Sequence, residues 1–201
     1  MSEHSSSEQV TAEPRPARRG SVRGRIGLVT AVVLAVVIGL LVFVLATSEP
    51  STSKLADSPL LGKVAPALTG PRVDDGEKFD LVDTAGKWVV VNFFATWCVP
   101  CRAEHDDLVS FSNSHAIGGD ASVVSVVFDD EPANVKAFFA KNGGDWPAIE
   151  DADGKIATDF GVTGVPESYL IDPNGIVRAK IVGGVVADKL EDLLAQAKAQ
   201  S

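Results

Sequence analysis

Hydrophobic and polar positions divide the chain into four stretches of different character. Residues 1–25 are rich in Ser, Glu, Pro and Arg and show no apolar period, the composition of a disordered tail. Residues 26–46 carry no charge; as a helix they would extend about 31 Å, enough to cross a bilayer core. Beyond them a polar segment, 47–59, reads as a linker. From residue 60 to 201, short apolar runs alternate with stretches of helical period, as in a folded domain of ordinary size.

Within that domain the periods predict the elements. Weak alternation over 64–68 and 78–81, separated by Asp74-Asp75-Gly76, predicts a β-hairpin. The run 87–95, with Val89, Val90, Val91, Phe93 and Phe94, has the make-up of a strand buried on both faces. Over 98–115 the period becomes helical, and Cys101, Glu104, His105, Leu108 and Phe111 share the inward face. A second buried strand is expected over 122–128. Asp129-Asp130-Glu131-Pro132 then starts a helix, with carboxylates at its positive end, and Asn142-Gly143-Gly144 ends it. A short extended piece over 146–150 and a short helix over 155–160 follow. Strands over 167–171 and 176–182 are joined by the turn Asp172-Pro173-Asn174-Gly175. Gly183-Gly184 breaks the sheet, and Leu190, Leu193 and Leu194 mark a closing helix over 187–200. This order implies an α/β domain: a mixed central sheet with helices on both faces and a right-handed crossover between its first two parallel strands.

Charge refines the placement. Arg15, Arg18, Arg19, Arg23 and Arg25 precede the apolar run and Glu49 is the first charge after it. The asymmetry predicts a cytoplasmic amino terminus and an extracytoplasmic domain. A cleaved secretory signal is the rival reading, but the run exceeds the usual signal core, which favours a retained single-pass anchor in the cell membrane. No cysteine stands directly after the run, which excludes a lipoprotein. Past residue 46 the chain has 24 acidic against 13 basic side chains, so no nucleic-acid partner is expected.

The candidate chemistry is carried by the two cysteines, Cys98 and Cys101. A buried strand delivers them to a helix start, where unpaired amides and the helix dipole stabilise a thiolate. Cys98 is expected to be the exposed nucleophile and Cys101 to resolve the mixed disulfide. A purely structural disulfide would close a loop too short to stabilise much. Zinc would need two further ligands, which His105 and His115 could supply in principle, but the strand–turn–helix context does not resemble a zinc ribbon or finger, and no metal is expected. Haem attachment would need a histidine where Arg102 stands. A peroxidatic Pro-x-x-x-Thr/Ser-x-x-Cys pattern fails, with Val91 and Ala95 at its places. Asp151-Ala152-Asp153-Gly154 hints at calcium, yet Ile156 and Val162 occupy the EF-hand positions for Gly and Glu.

Two separated segments resemble one family in the right order. Thr96-Trp97-Cys98-Val99-Pro100-Cys101-Arg102-Ala103-Glu104-His105 resembles the active-site segment of the membrane-tethered thioredoxin-like proteins of the TlpA/ResA/CcmG (DsbE) group. Gly161-Val162-Thr163-Gly164-Val165-Pro166-Glu167-Ser168-Tyr169-Leu170-Ile171-Asp172 resembles its second signature, and the likeness runs from about residue 60 to the end. The resemblance implies a thioredoxin fold with an amino-terminal hairpin extension. It implies that Pro166 is cis, lies against the cysteines, presents the Val165 backbone to a substrate strand and keeps metal off the thiols. It implies that Glu104, one turn after Cys101, handles the proton, because Asn92 stands where cytosolic thioredoxin carries a buried acid in its central strand. Burial would raise the Glu104 pKa toward that task.

Trp97 is expected in the docking surface and Glu167 to add acidity beside it, while His105 is expected to pack. The Val99-Pro100 dipeptide is TlpA-like where CcmG-like proteins often carry Pro-Thr. No soluble cofactor is implied beyond the redox-active Cys98–Cys101 disulfide. The implied partners are a protein disulfide, such as apocytochrome c or a haem-delivery partner, and a transmembrane electron donor of the DsbD/CcdA kind. An oxidant or general repair reductase, and a non-catalytic tethered binding module, are the alternatives.

Overall fold

The computed structural model describes residues 22–47 and 53–200, with side chains in the first stretch for residues 31–43. Two compact units result, divided after Glu49. The first is a helix, α1 (Val22–Thr47), whose described side chains are all exposed. Among the described residues no helix is long and apolar enough to cross a membrane. The expected tail over 1–25 lies almost wholly outside the described residues, and within the expected span over 26–46 side chains are described for residues 31–43.

The second unit holds a six-stranded mixed sheet in the order β1-β8-β7-β4-β5-β6. Its strands are β1 (Lys54–Ala56), β4 (Trp88–Phe94), β5 (Ala121–Val127), β6 (Ala148–Ile149), β7 (Glu167–Ile171) and β8 (Val177–Val182). β4 runs parallel to β5 and antiparallel to β7. A separate hairpin pairs β2 (Thr69–Pro71) with β3 (Lys78–Asp80). The helices are α2 (Val99–His115), α3 (Pro132–Asn142), α4 (Lys155–Phe160) and α5 (Ala187–Ala199).

β4 is the spine because both of its faces are covered. Side chains alternate across a strand, so Val89, Val91 and Phe93 enter one core with Ile156 and Phe160 of α4 and with Tyr169. Trp88 and Val90 enter the other with Leu108 and Phe111 of α2 and Leu190 and Leu194 of α5. The same parity turns Asn92 toward α2. This is the thioredoxin-like arrangement that the resemblance implies.

Two expectations are corrected at the start of the domain. The linker drawn over 47–59 contains β1, which adds to the outer edge of β8 in antiparallel register. The first hairpin strand is β2, not 64–68; Val64 instead makes an isolated bridge with Ile176. Gly70 is needed in β2 because a Cβ there would stand 2.8 Å from the Glu150 carbonyl oxygen.

Candidate active site

Beyond Phe94 the chain leaves the sheet through buried Ala95 and is tied across to the loop after β5. The Thr96 amide and hydroxyl both donate to the Asp130 carboxylate at 2.6 Å. The Trp97 indole N–H donates to the Asp129 carbonyl at 2.8 Å. These bonds set the direction in which α2 starts.

Cys98 is the N-cap of α2, in extended conformation, and its Sγ accepts from the Cys101 amide at 3.2 Å. A sulfur there takes up one of the donors that a helix start leaves unpaired, which favours negative charge on it once reduced. Pro100 sits in the first turn, where no amide partner is lost. Cys98 and Cys101 form a disulfide, with their Cα atoms 5.3 Å apart.

The peptide between Val165 and Pro166 is cis, and the Val165 carbonyl oxygen lies 3.7 Å from Cys98 Sγ. Val165 and Pro166 are therefore against the cysteine pair, with Pro166 buried and Val165 half-buried. The expectation that Cys98 stands exposed is corrected. In the disulfide it is 4% exposed against 2% for Cys101, because both sulfurs pack in a cluster with Phe94, Ala95, Val127 and Val135. The open surface is supplied by the neighbours instead: Trp97 and Val99 are both more than half exposed.

Glu104 lies one turn below Cys101 and is buried. Its Oε1 accepts from Asn92 Nδ2 at 2.9 Å and its Oε2 from the Val185 amide at 2.8 Å. Asn92 Nδ2 also donates to Ser168 Oγ at 3.0 Å. Burial pushes the Glu104 carboxyl up from its ordinary 4.5 to about 7, against the pull of the Val185 and Asn92 donors; the Asp107 charge adds to the rise. A carboxyl poised there can take or give a proton near neutrality. Asp107, one turn further on, accepts from the Ala187 amide at 2.9 Å. Two carboxylates of α2 thus hold the entry to α5.

The expected surface role of Glu167 is corrected. It follows Pro166 directly but is 2% exposed. Its Oε1 accepts from the Thr163 amide and hydroxyl at 3.1 and 2.8 Å, and its Oε2 is paired with Lys180 Nζ at 2.8 Å. Lys180 Nζ also donates to the Gly161 carbonyl at 3.0 Å. Glu167 therefore braces the 161–167 loop from within; its carboxylate offers no surface to a substrate. His105 packs among Phe138, Phe139 and Trp146, and its Nε2 lies 2.9 Å from the Gly143 carbonyl oxygen. His115 binds Asp120 and Glu191 at the far end of α2. Neither histidine is turned to the cysteines. Asp151 ends as an anchor for α4, its carboxylate accepting from the Ile156 and Ala157 amides.

Asp130, Ser168 and the Val185 amide belong to the site and were not singled out for it by the sequence. Asp130 carried the mark of a helix start only. The other two come from segments 76 and 81 residues away from their partners, a pairing that no local pattern encodes.

Comparison with known proteins agrees with this geometry. The AhpC/TSA family model matches residues 61–180. The chain is 38% identical over 130 residues to the thiol:disulfide interchange protein DsbE of Pseudomonas aeruginosa, covering 64% of this chain and 69% of that one. It is 31% identical over 169 residues to the thiol:disulfide interchange protein HelX of Rhodobacter capsulatus, covering 81% and 92%. Among solved structures, a putative thiol:disulfide interchange protein DsbE from Chlorobium tepidum superposes with a TM-score of 0.62 at 30% identity, covering 68% of this chain and 96% of that one.

Proposed function

The chain belongs to the AhpC/TSA family, among its thiol:disulfide interchange proteins, and we propose that it is a membrane-tethered reductant of protein disulfides outside the cytoplasm. The observation that supports the thiol–disulfide chemistry of this reading is the disulfide itself: it caps α2 with the cis Val165–Pro166 peptide against one sulfur and a buried carboxyl one turn behind the other.

In the reduced enzyme the Cys98 thiolate attacks one sulfur of a substrate disulfide. That bond breaks, a mixed disulfide forms, and the first substrate sulfur leaves as thiolate. Cys101 gives its proton to Glu104 and attacks Cys98 Sγ; the mixed disulfide breaks and the second substrate thiolate leaves. Two electrons have passed to the substrate and the enzyme holds the Cys98–Cys101 disulfide. The substrate thiolates take up protons, one of them supplied through Glu104. The helix start supports the first step by stabilising the thiolate. The carboxyl supports the second by accepting a proton near neutrality.

In this reading the exposed Trp97 and the half-buried Val165, beside buried Pro166, form the docking surface, and the Val165 backbone pairs with an extended segment of the substrate. The charge-free run over 26–46 and the arginines before it support a retained anchor with the domain outside. By resemblance the substrate is apocytochrome c or a partner that delivers haem, and electrons return from a transmembrane donor of the DsbD/CcdA kind.

The test is capture with Cys101→Ser, which leaves the mixed disulfide unresolved. A Cys98-linked protein, released by reductant and identified by mass, is the expected result. Turnover of a protein disulfide undiminished in Cys98→Ser would overturn the assignment. A reduction potential near thioredoxin's (about −270 mV) fits a reductant, whereas one near DsbA's (about −120 mV) would make the enzyme an oxidant.

A further inference from the structure

We propose that Asn92 is a positioning residue whose side-chain amide reverses as Glu104 gains and loses its proton, so that one residue satisfies both states of the carboxyl. The proposal rests on the reading of Glu104 as the group that handles the Cys101 proton.

Both carboxyl oxygens of Glu104 face N–H donors, Asn92 Nδ2 at 2.9 Å and the Val185 amide at 2.8 Å. Two donors suit a carboxylate. A carboxylic acid brings a hydrogen of its own, which needs an acceptor, and leaving a buried polar group unpaired costs about 1–3 kcal/mol. The Val185 amide has only a hydrogen to offer. Asn92 carries a donor and an acceptor on one planar group, and a half-turn about its last side-chain bond exchanges them.

Ser168 can follow the exchange. Its Oγ now accepts from the same Nδ2 at 3.0 Å, and a hydroxyl can turn from acceptor to donor. After the half-turn Asn92 Oδ1 would stand where Nδ2 stands, accepting from Glu104 on one side and from Ser168 on the other. Asn92, Glu104 and Ser168 are 1%, 3% and 0% exposed, so bulk water is not at hand to supply the missing acceptor. The charged groups around Glu104 do not take that role. Asp107 on α2 is occupied by the Ala187 amide. Glu167 and Lys180, on β7 and β8, are paired with each other. At the head of α2 the cysteines are joined in the disulfide.

The experiment is nuclear magnetic resonance of the full-length, oxidised protein in detergent micelles, labelled with nitrogen-15 and carbon-13, at about pH 5 and about pH 9, either side of the carboxyl midpoint. Scalar couplings across the hydrogen bonds to the Glu104 carboxyl carbon are read from Asn92 Nδ2 and from the Val185 amide. The Val185 coupling is expected at both pH values, and the Asn92 coupling at about pH 9 only. Persistence of the Asn92 coupling at about pH 5, or loss of the Val185 coupling there, would overturn the proposal and show that the α5 entry yields instead. No thiol reacts in this measurement. Failure of the proton-handling reading would appear separately, as unchanged turnover in Glu104→Gln.

Discussion

Replacing Glu104 by Gln isolates the charge that the fold buries beneath its disulfide. In the folded chain burial raises this carboxyl from 4.5 to about 7. Between those values the folded state binds more protons than the unfolded state, so stability falls as pH rises through the interval and levels off above about pH 7. At about 1.4 kcal/mol per pH unit, the loss due to this one group is about 3 kcal/mol. The sign is opposite to that of an ion-paired carboxylate, which stabilises at neutral pH and loses its contribution on acidification.

Gln cannot ionise, so its variant lacks that slope. Its amide nitrogen meets the donors that now point at Glu104, so it either leaves one unpaired, at about 1–3 kcal/mol, or is met by the Asn92 oxygen after the half-turn; neither cost varies with pH. The assay is urea denaturation of the oxidised wild type and variant between about pH 4 and about pH 8. The stability difference cancels the other titrating groups, leaving this one. It should shift by about 3 kcal/mol in favour of the variant from the acid to the alkaline end. A difference constant to within about 1 kcal/mol would refute the buried, proton-holding carboxyl.

Three further outcomes follow from neighbouring contacts. Glu104→Gln should prolong the lifetime of the mixed disulfide with substrate by about 100-fold near neutral pH, the scale of a lost general base, read by quenching and resolving the covalent complex; an unchanged lifetime would assign the proton elsewhere. Lys180→Met leaves the Glu167 carboxylate buried without its counter-charge and should destabilise by about 3–5 kcal/mol, with Glu167→Gln in the same chain restoring most of the loss; a loss below about 1 kcal/mol would show that the pair does not hold the loop. Trp97→Ala removes a side chain that is more than half exposed and whose indole bonds the Asp129 carbonyl. It should lower kcat/KM for a protein disulfide by about tenfold or more while leaving reactivity toward a small dithiol unchanged, and an equal fall for both would place the effect in the cysteines rather than in docking.

The elements whose side chains decide their own burial were legible in the sequence. β4 and β5 are apolar enough to be recognised alone, and α2 declares its inward face by spacing. The grouping of the candidate residues was legible for the same reason: Cys98, Cys101 and Glu104 stand within two turns of one helix, whereas Asn92 was singled out by the family resemblance. What was not legible depends on a partner distant in the chain. Lys54-Leu55-Ala56 has no strand pattern of its own and becomes β1 because β8 offers an open edge. Thr69-Gly70-Pro71 is a poor strand by composition and is held by β3 and by the close approach to Glu150.

Glu167 was misplaced because a carboxylate beside a cis proline looks like surface chemistry until Lys180, thirteen positions on and one strand over, is seen to neutralise it. The same distinction separates the two buried acids of the site. Glu167 is given a cation, Lys180 Nζ at 2.8 Å. Glu104 is given only N–H donors and a second carboxylate nearby, so its proton is easily held and easily lost. Two glutamates of similar burial thus differ in their surroundings, because only one of them has a positive charge beside it, and the one without stands one turn after Cys101 on α2, where the proposed reaction calls for a proton acceptor.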